Sequence, residues 1–128
     1  MLQVSEPTGS GFHPFVKTDR FLCAFATSAP TYPTERVSTV KRHVETDEVF
    51  VLLRGEANVL TVDDGGTQEE CALKLGTAYT VTKNTWHALG LSVDALVVIV
   101  EGADTGTANT QTQILHKPYV WKRRLSEC

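Results

Sequence analysis

Short apolar runs, each cut off by glycine, proline, asparagine or aspartate, recur along the whole chain. Phe15 to Thr27, Arg36 to Val44, Val49 to Leu53, Ala57 to Val62, Ala72 to Leu75, Ala78 to Thr82 and Val93 to Glu101 read as strands, rich in β-branched and aromatic residues. Pro7, Gly9, Gly11, Pro14, Pro30 and Pro33 break up the first third and exclude long helices there. Asp63-Asp64-Gly65-Gly66 tolerates positive φ and predicts an antiparallel hairpin. Asp104 to Thr112 reads as a surface loop. No segment keeps a helical period over three turns, and only the last dozen residues, around Tyr119, Trp121 and Leu125, offer a short helix. The pattern predicts an all-β barrel or sandwich.

Titratable residues concentrate in two places, Lys41 to Glu48 and Gly76 to His87. Alternate residues of a strand share a face, so Lys41, His43 and Glu45 point one way and Arg42 and Val44 the other. A turn at Thr46-Asp47 can return Glu48 to the same interior. By the same alternation Trp86 and His87 face opposite ways, which puts Trp86 outside the barrel in an intersheet or dimer contact. Phe50 and Leu52 share parity with Glu48 and read equally well as cavity wall or as core.

The spacing in these two stretches resembles the paired motifs of the cupins. The first motif is a Gly, five residues, His-x-His, three or four residues, a Glu, six residues and a Gly; His43, Glu48 and Gly55 match its second half without a gap. The second is a Gly, five residues, Pro-x-Gly, two residues, a His, three residues and an Asn; Gly76, Thr82, Asn84 and His87 fall at its spacing. Departures are as specific as matches: Glu35 stands for the opening Gly, Lys41 for the first His, Thr82 for the Pro and Leu91 for the final Asn. Asn84 for Gly is mild, because Asn also enters the left-handed region.

What the resemblance implies is a cupin-type double-stranded β-helix, or jelly-roll barrel. Over residues 1–128 it implies a single domain with an irregular N-terminal segment to about residue 14 and a tail from about residue 115. Family ligand positions carry over to His43, Glu48 and His87, a set suited to Fe, Mn, Ni, Cu or Zn. Lys41 beside them is expected to point to the barrel mouth, to ion-pair with Glu45, or to lose its proton through burial and act as a base. Lys41, Glu45 and Tyr79 are the candidates for moving protons. His13 and His116 lie outside both motifs and read as surface or packing residues.

Composition narrows the partners. With 128 residues there is room for one sizeable core, and 41% hydrophobic with 21% charged residues is ordinary for a globular domain. A net charge of -3 offers no positive field for nucleic acid, and the Lys122-Arg123-Arg124 cluster reads as a solvated tail. No run reaches the roughly 18 apolar residues of a membrane span. Cys23, Cys71 and Cys128 are an odd, irregularly spaced set with no export signal before them, so the expected location is the cytoplasm. A polar small molecule is the expected ligand, and a homodimer is expected from the family and from the apolar start and aromatic tail. Three functions remain open: a metal-dependent isomerase, lyase or oxygenase; a metal-free, sugar-epimerase-like enzyme with His43 or His87 as base and Tyr79 as acid; and a binding or sensing module.

Overall fold

The computed structural model describes residues 1–106 and 108–126; Thr107, inside the predicted 104–112 loop, and Cys128, the third cysteine, lie outside the described residues. Ten strands follow in order: β1 (Gly11–Lys17), β2 (Phe21–Thr27), β3 (Arg36–His43), β4 (Glu48–Arg54), β5 (Ala57–Val62), β6 (Gln68–Ala72), β7 (Ala78–Val81), β8 (Trp86–Leu91), β9 (Leu96–Gly102) and β10 (Thr110–Val120). They form two five-stranded antiparallel sheets, ordered β1-β2-β9-β4-β7 and β10-β3-β8-β5-β6. From β3 onward successive strands cross between the sheets, except at the β5–β6 hairpin, as in a jelly roll.

The faces turned toward each other bury the main core. Phe50 and Leu52 of β4, Val97 and Ile99 of β9, Ala57 and Val59 of β5, and Leu89 and Leu91 of β8 meet there, each 7% exposed or less. In register these are cross-strand neighbours: Phe50 opposes Ile99, Leu52 opposes Val97, and Val59 opposes Leu89. Phe50 and Leu52 are therefore core.

A second cluster lies on the other face of the β10-β3-β8-β5-β6 sheet, where Val37, Val40 and Leu60 are covered by Trp121 and Leu125. Trp86, on that face as its parity predicts, packs against the same cluster and under the Arg42 guanidinium, 4.5 Å from its ring centroid. Trp121 donates its indole N–H to the Pro33 carbonyl at 2.9 Å and lies over Gly90, where a Cβ would come within 2.7 Å of the ring. Glu70 accepts the backbone N–H groups of Lys122 and Arg123 and the Tyr119 hydroxyl. The aromatic tail thus covers its own sheet, which removes the reason it gave for a second copy of the chain.

Four expectations change. Phe15 to Thr27 is two strands rather than one, because the Thr18 hydroxyl accepts the N–H groups of Arg20 and Phe21 and turns the chain. Strand β1 begins at Gly11 and β10 runs to Val120, so residues 11–14 and 115–120 belong to the sheets and not to irregular ends. From Trp121 to Ser126 the tail is irregular and not helical, held by the Glu70 and Pro33 contacts. The hairpin through Asp63 and Gly66 forms, with the Gly66 N–H on the Asp63 carbonyl at 3.0 Å, but its second arm is the polar Gln68–Ala72 rather than 72–75.

Candidate metal centre

The cluster assembles at one end of the barrel, where β3 finishes and β4 begins. Chain reversal over residues 44–47 is fixed by three neighbours: the Val44 N–H donates to the Asn109 carbonyl, the Gly102 N–H to the Thr46 hydroxyl, and the Lys83 N–H to the Asp47 carboxylate. These contacts set His43 at the end of one sheet against Glu48 at the start of the other. His87 enters from β8, whose approach is made by Asn84 at φ 67°, the one non-glycine residue with positive φ among those described. The Asn84 N–H donates to the His43 carbonyl at 2.8 Å, tying the two histidine segments together.

One carboxylate oxygen then lies between two imidazoles. Glu48 Oε1 is 3.1 Å from His43 Nε2 and 2.8 Å from His87 Nε2, and the donor atoms of all three residues lie within 4.8 Å of one another. Side-chain exposure is only 12%, 9% and 7% for His43, Glu48 and His87. The far nitrogen of each ring is also anchored: His87 Nδ1 is 2.9 Å from the Thr85 carbonyl and His43 Nδ1 is 2.9 Å from the Thr110 hydroxyl. A carbonyl only accepts, so His87 Nδ1 carries a proton, and a neutral His87 turns the bare lone pair of Nε2 on Glu48. That contact requires a cation between the two atoms, either a proton or a metal ion. A histidine held through its other nitrogen by a backbone carbonyl is also the usual arrangement of a metal ligand.

Two groups that neither sequence motif contains face the same space. Glu101 on β9 is the direct cross-strand partner of Glu48, its side chain is 8% exposed, and its Oε2 is 4.0 Å from His43 Nε2. Tyr32, in the connection between β2 and β3, packs against the interior, and its hydroxyl makes no hydrogen bond to another described residue. The only sequence signal for Glu101 is its parity, since it follows Val97 and Ile99 on an otherwise apolar inward face. Tyr32 carries none, lying between Pro30 and Pro33 outside any strand.

Burial works on these acids in opposite directions. For Glu48 burial alone would raise the pKa, but hydrogen bonds and charge from His43 and His87 outweigh it and hold the carboxylate at about 2. Glu101 lacks that support; burial first, then the charge of Glu48, push it up to about 7 against the pull of His43. Burial, with Glu48 and Glu101 behind it, also raises the Tyr32 phenol.

The three proton-moving candidates stand apart from the cluster. Lys41 opposes His87 across the β3–β8 pair and so shares its face, yet it is exposed and makes no ion pair with Glu45 or any other described residue. Glu45 is exposed and accepts a hydrogen bond from the Asn109 side chain at 3.1 Å. The Tyr79 hydroxyl accepts the Lys74 N–H at 3.0 Å, toward the loop after β6. His13 contacts the Ser10 carbonyl and His116 is exposed on β10. Two shallow grooves, of about 270 and 330 Å³, lie near Thr34, Glu35 and Arg124 and include none of the donors.

No family model matches the sequence, and no curated protein matches it. Solved structures do. KdgF from Halomonas sp. is 20% identical over 77% of this chain and 96% of its own, with a TM-score of 0.56. A cupin-2 domain protein from Shewanella frigidimarina is 17% identical over 74% of this chain and 84% of its own, at 0.54. Oxalate decarboxylase is 16% identical over 87% of this chain, at 0.58. The chain spans 30% of the length of that decarboxylase and 24% of the coconut allergen cocosin. At such identities the likeness is one of fold, and the fold is the all-β cupin jelly roll. Among the described residues no helix is long and apolar enough to cross a membrane.

Proposed function

We propose that this chain is a small cupin that holds a divalent metal ion on His43, Glu48 and His87 and uses it on a polar small molecule at that end of the barrel. The observation that carries the reading is the pair of Nε2 contacts on one Glu48 oxygen, with His87 Nδ1 committed to a carbonyl. Two imidazoles and a carboxylate with open positions are a recognised donor set for Fe(II), and nitrogen and oxygen sites also take Mn, Ni, Cu or Zn. Such an ion polarises a substrate oxygen or activates water or dioxygen.

The chain's own residues orient and exchange protons around that point. Thr85 and Thr110 hold the two rings in place through their Nδ1 atoms. Glu101, able to carry a proton near neutrality, and Tyr32 lie beside the donors and are the groups that would exchange protons with a bound molecule. Lys41, exposed on the same face, offers a positive charge at the mouth to an anionic group.

Elemental analysis of protein purified without a histidine tag or added metal tests this, with His87→Ala alongside. One divalent ion per chain in the parent and none in the variant is expected. A parent that arrives empty and takes up none of Fe, Mn, Ni, Cu or Zn on titration sinks the proposal. A metal-free binding protein or epimerase-like enzyme is the second reading, favoured by Lys41 at a family ligand position. It predicts ligand-dependent stabilisation or turnover that survives EDTA.

A further inference from the structure

We infer that Glu101 is a fourth metal donor, supplied by β9 in place of the donor lost at Lys41, so that the site is built from two imidazoles and two carboxylates. This rests on the metal reading above and goes beyond it in naming the donor and the class of ion.

Register is the first argument. Glu48 and Glu101 are directly opposed across the β4–β9 pair, so their side chains leave the sheet side by side on the inward face. Two like charges so placed repel each other even on an open sheet, and here both side chains are more than nine-tenths buried. Among the described residues no lysine or arginine ion-pairs with either one, and the groups facing them are His43, His87 and the Tyr32 phenol. A buried pair of carboxylates whose only cationic neighbours are two histidines is costly to keep ionised, and it ties up protons on those rings. One divalent ion between them balances both charges and leaves the imidazoles neutral, as ligands must be.

Distance is the second argument. Donors held at about 2.0–2.2 Å from one ion lie no more than about 4.4 Å apart. The Glu101 Oε2 to His43 Nε2 separation is 4.0 Å, and the two Glu48 contacts are 3.1 and 2.8 Å. Glu101 is therefore within reach of an ion that also touches His43, although the donors that already lie within 4.8 Å of one another are those of His43, Glu48 and His87, so joining all three takes an inward turn of the Glu101 side chain.

The lysine is the third argument. Cross-strand pairing puts Lys41 opposite His87, so the family's first-motif position does face the cluster, but its occupant is a cation that extends into solvent. Nothing on β3 replaces the missing ligand. Glu101 approaches from the other sheet, and the substitution of a carboxylate for an imidazole makes the set harder, narrowing the margin by which Cu2+ or Zn2+ outbinds Mn2+ or Fe2+.

The test is Mn2+ binding by metal-stripped protein, read from the loss of the free-ion electron paramagnetic resonance signal, for the parent, Glu101→Gln, and Glu101→Gln combined with Lys41→His. The parent is expected to bind one Mn2+, and Glu101→Gln to bind it at least tenfold more weakly, since loss of even an outer-shell partner costs about 10- to 100-fold. The added histidine at position 41 is expected to recover part of that loss. Melting of Glu101→Gln in EDTA serves as the fold control; should that variant not fold, Glu101→Asp, whose carboxylate is drawn back by one methylene, is measured instead and the same loss expected. Unchanged Mn2+ affinity in the folded variant, with the parent binding, overturns the fourth donor alone. A parent that binds none of the metals overturns the metal reading and this inference together.

Discussion

The two ends of the barrel are made from the same strands and have opposite chemistry. Along β4 the inward residues run Glu48, Phe50, Leu52; along β8, His87, Leu89, Leu91; along β9 in reverse, Glu101, Ile99, Val97. Each strand begins polar at one end and becomes apolar within two residues. At the apolar end, burial of close-packed side chains stabilises the fold. At the polar end, the same depth of burial acts on acids and imidazoles and sets their protonation. A rigid apolar floor under a cluster of donors is how a small barrel presents a site without additional layers.

Substitution at the floor should have the largest effect on stability. Phe50, 2% exposed, lies one inward step below Glu48, and Phe50→Ala should cost about 3–5 kcal/mol by urea denaturation. Glu48→Gln, measured without metal, should cost less, because it also removes a repulsion from Glu101. If the glutamate change destabilised the metal-free protein more than the phenylalanine change, the division between a stabilising end and a chemical end would be wrong.

A smaller effect, of opposite sign for the two acids, should emerge in the pH dependence of metal-free protein. Glu101 has a folded pKa of about 7 against an ordinary 4.5, so its contribution is fully present below 4.5 and is lost as the pH rises through 7. Glu48, at about 2, contributes above 4.5 and loses that contribution as the pH falls toward 2. Melting temperature in EDTA should therefore decline between about pH 5 and 8, and Glu101→Gln should flatten the decline, while Phe50→Ala should shift the whole curve down and keep its shape. A decline that persists in Glu101→Gln would assign it elsewhere.

The smallest effect is expected at Gly76, in the loop leading into β7. It has φ +74° and no atom lies within 4 Å of the point a Cβ would occupy, so Gly76→Ala should meet only backbone strain, about 1 kcal/mol by denaturation. Gly55 has the same φ, but a Cβ there would lie 2.6 Å from Ala95 Cα, and its replacement should cost distinctly more.

How much of this is legible in the sequence follows the same division. Strands β3, β4, β7 and β9 are readable because each buries one face and shows it, and β5, buried on both faces, because its apolar run ends at the Asp63 to Gly66 turn. Strand β8 is not, since Trp86 and Ala88 are covered on the outside while His87 and Leu89 are covered within, which erases the alternation. The place of β6 is hidden because its polar Gln-Glu-Glu start has no apolar signal and Leu73, just beyond its end, does. His43, Glu48 and His87 are identified by their spacing, and the fold brings them together. Glu101 escapes such a reading because it ends an apolar run as a surface residue commonly does, and only the β4–β9 register turns it inward.

The pairing of β10 with β3 bears on how the protein is made. His43 is joined to Thr110 across 67 residues, so the first ring of the cluster along the chain waits for the last strand. At ribosomal speeds of about 5–20 residues per second, that separation corresponds to a delay on the order of 3 to 13 s. During it, β3 is an unzipped sheet margin, and a nascent chain in that condition is a natural client for chaperones.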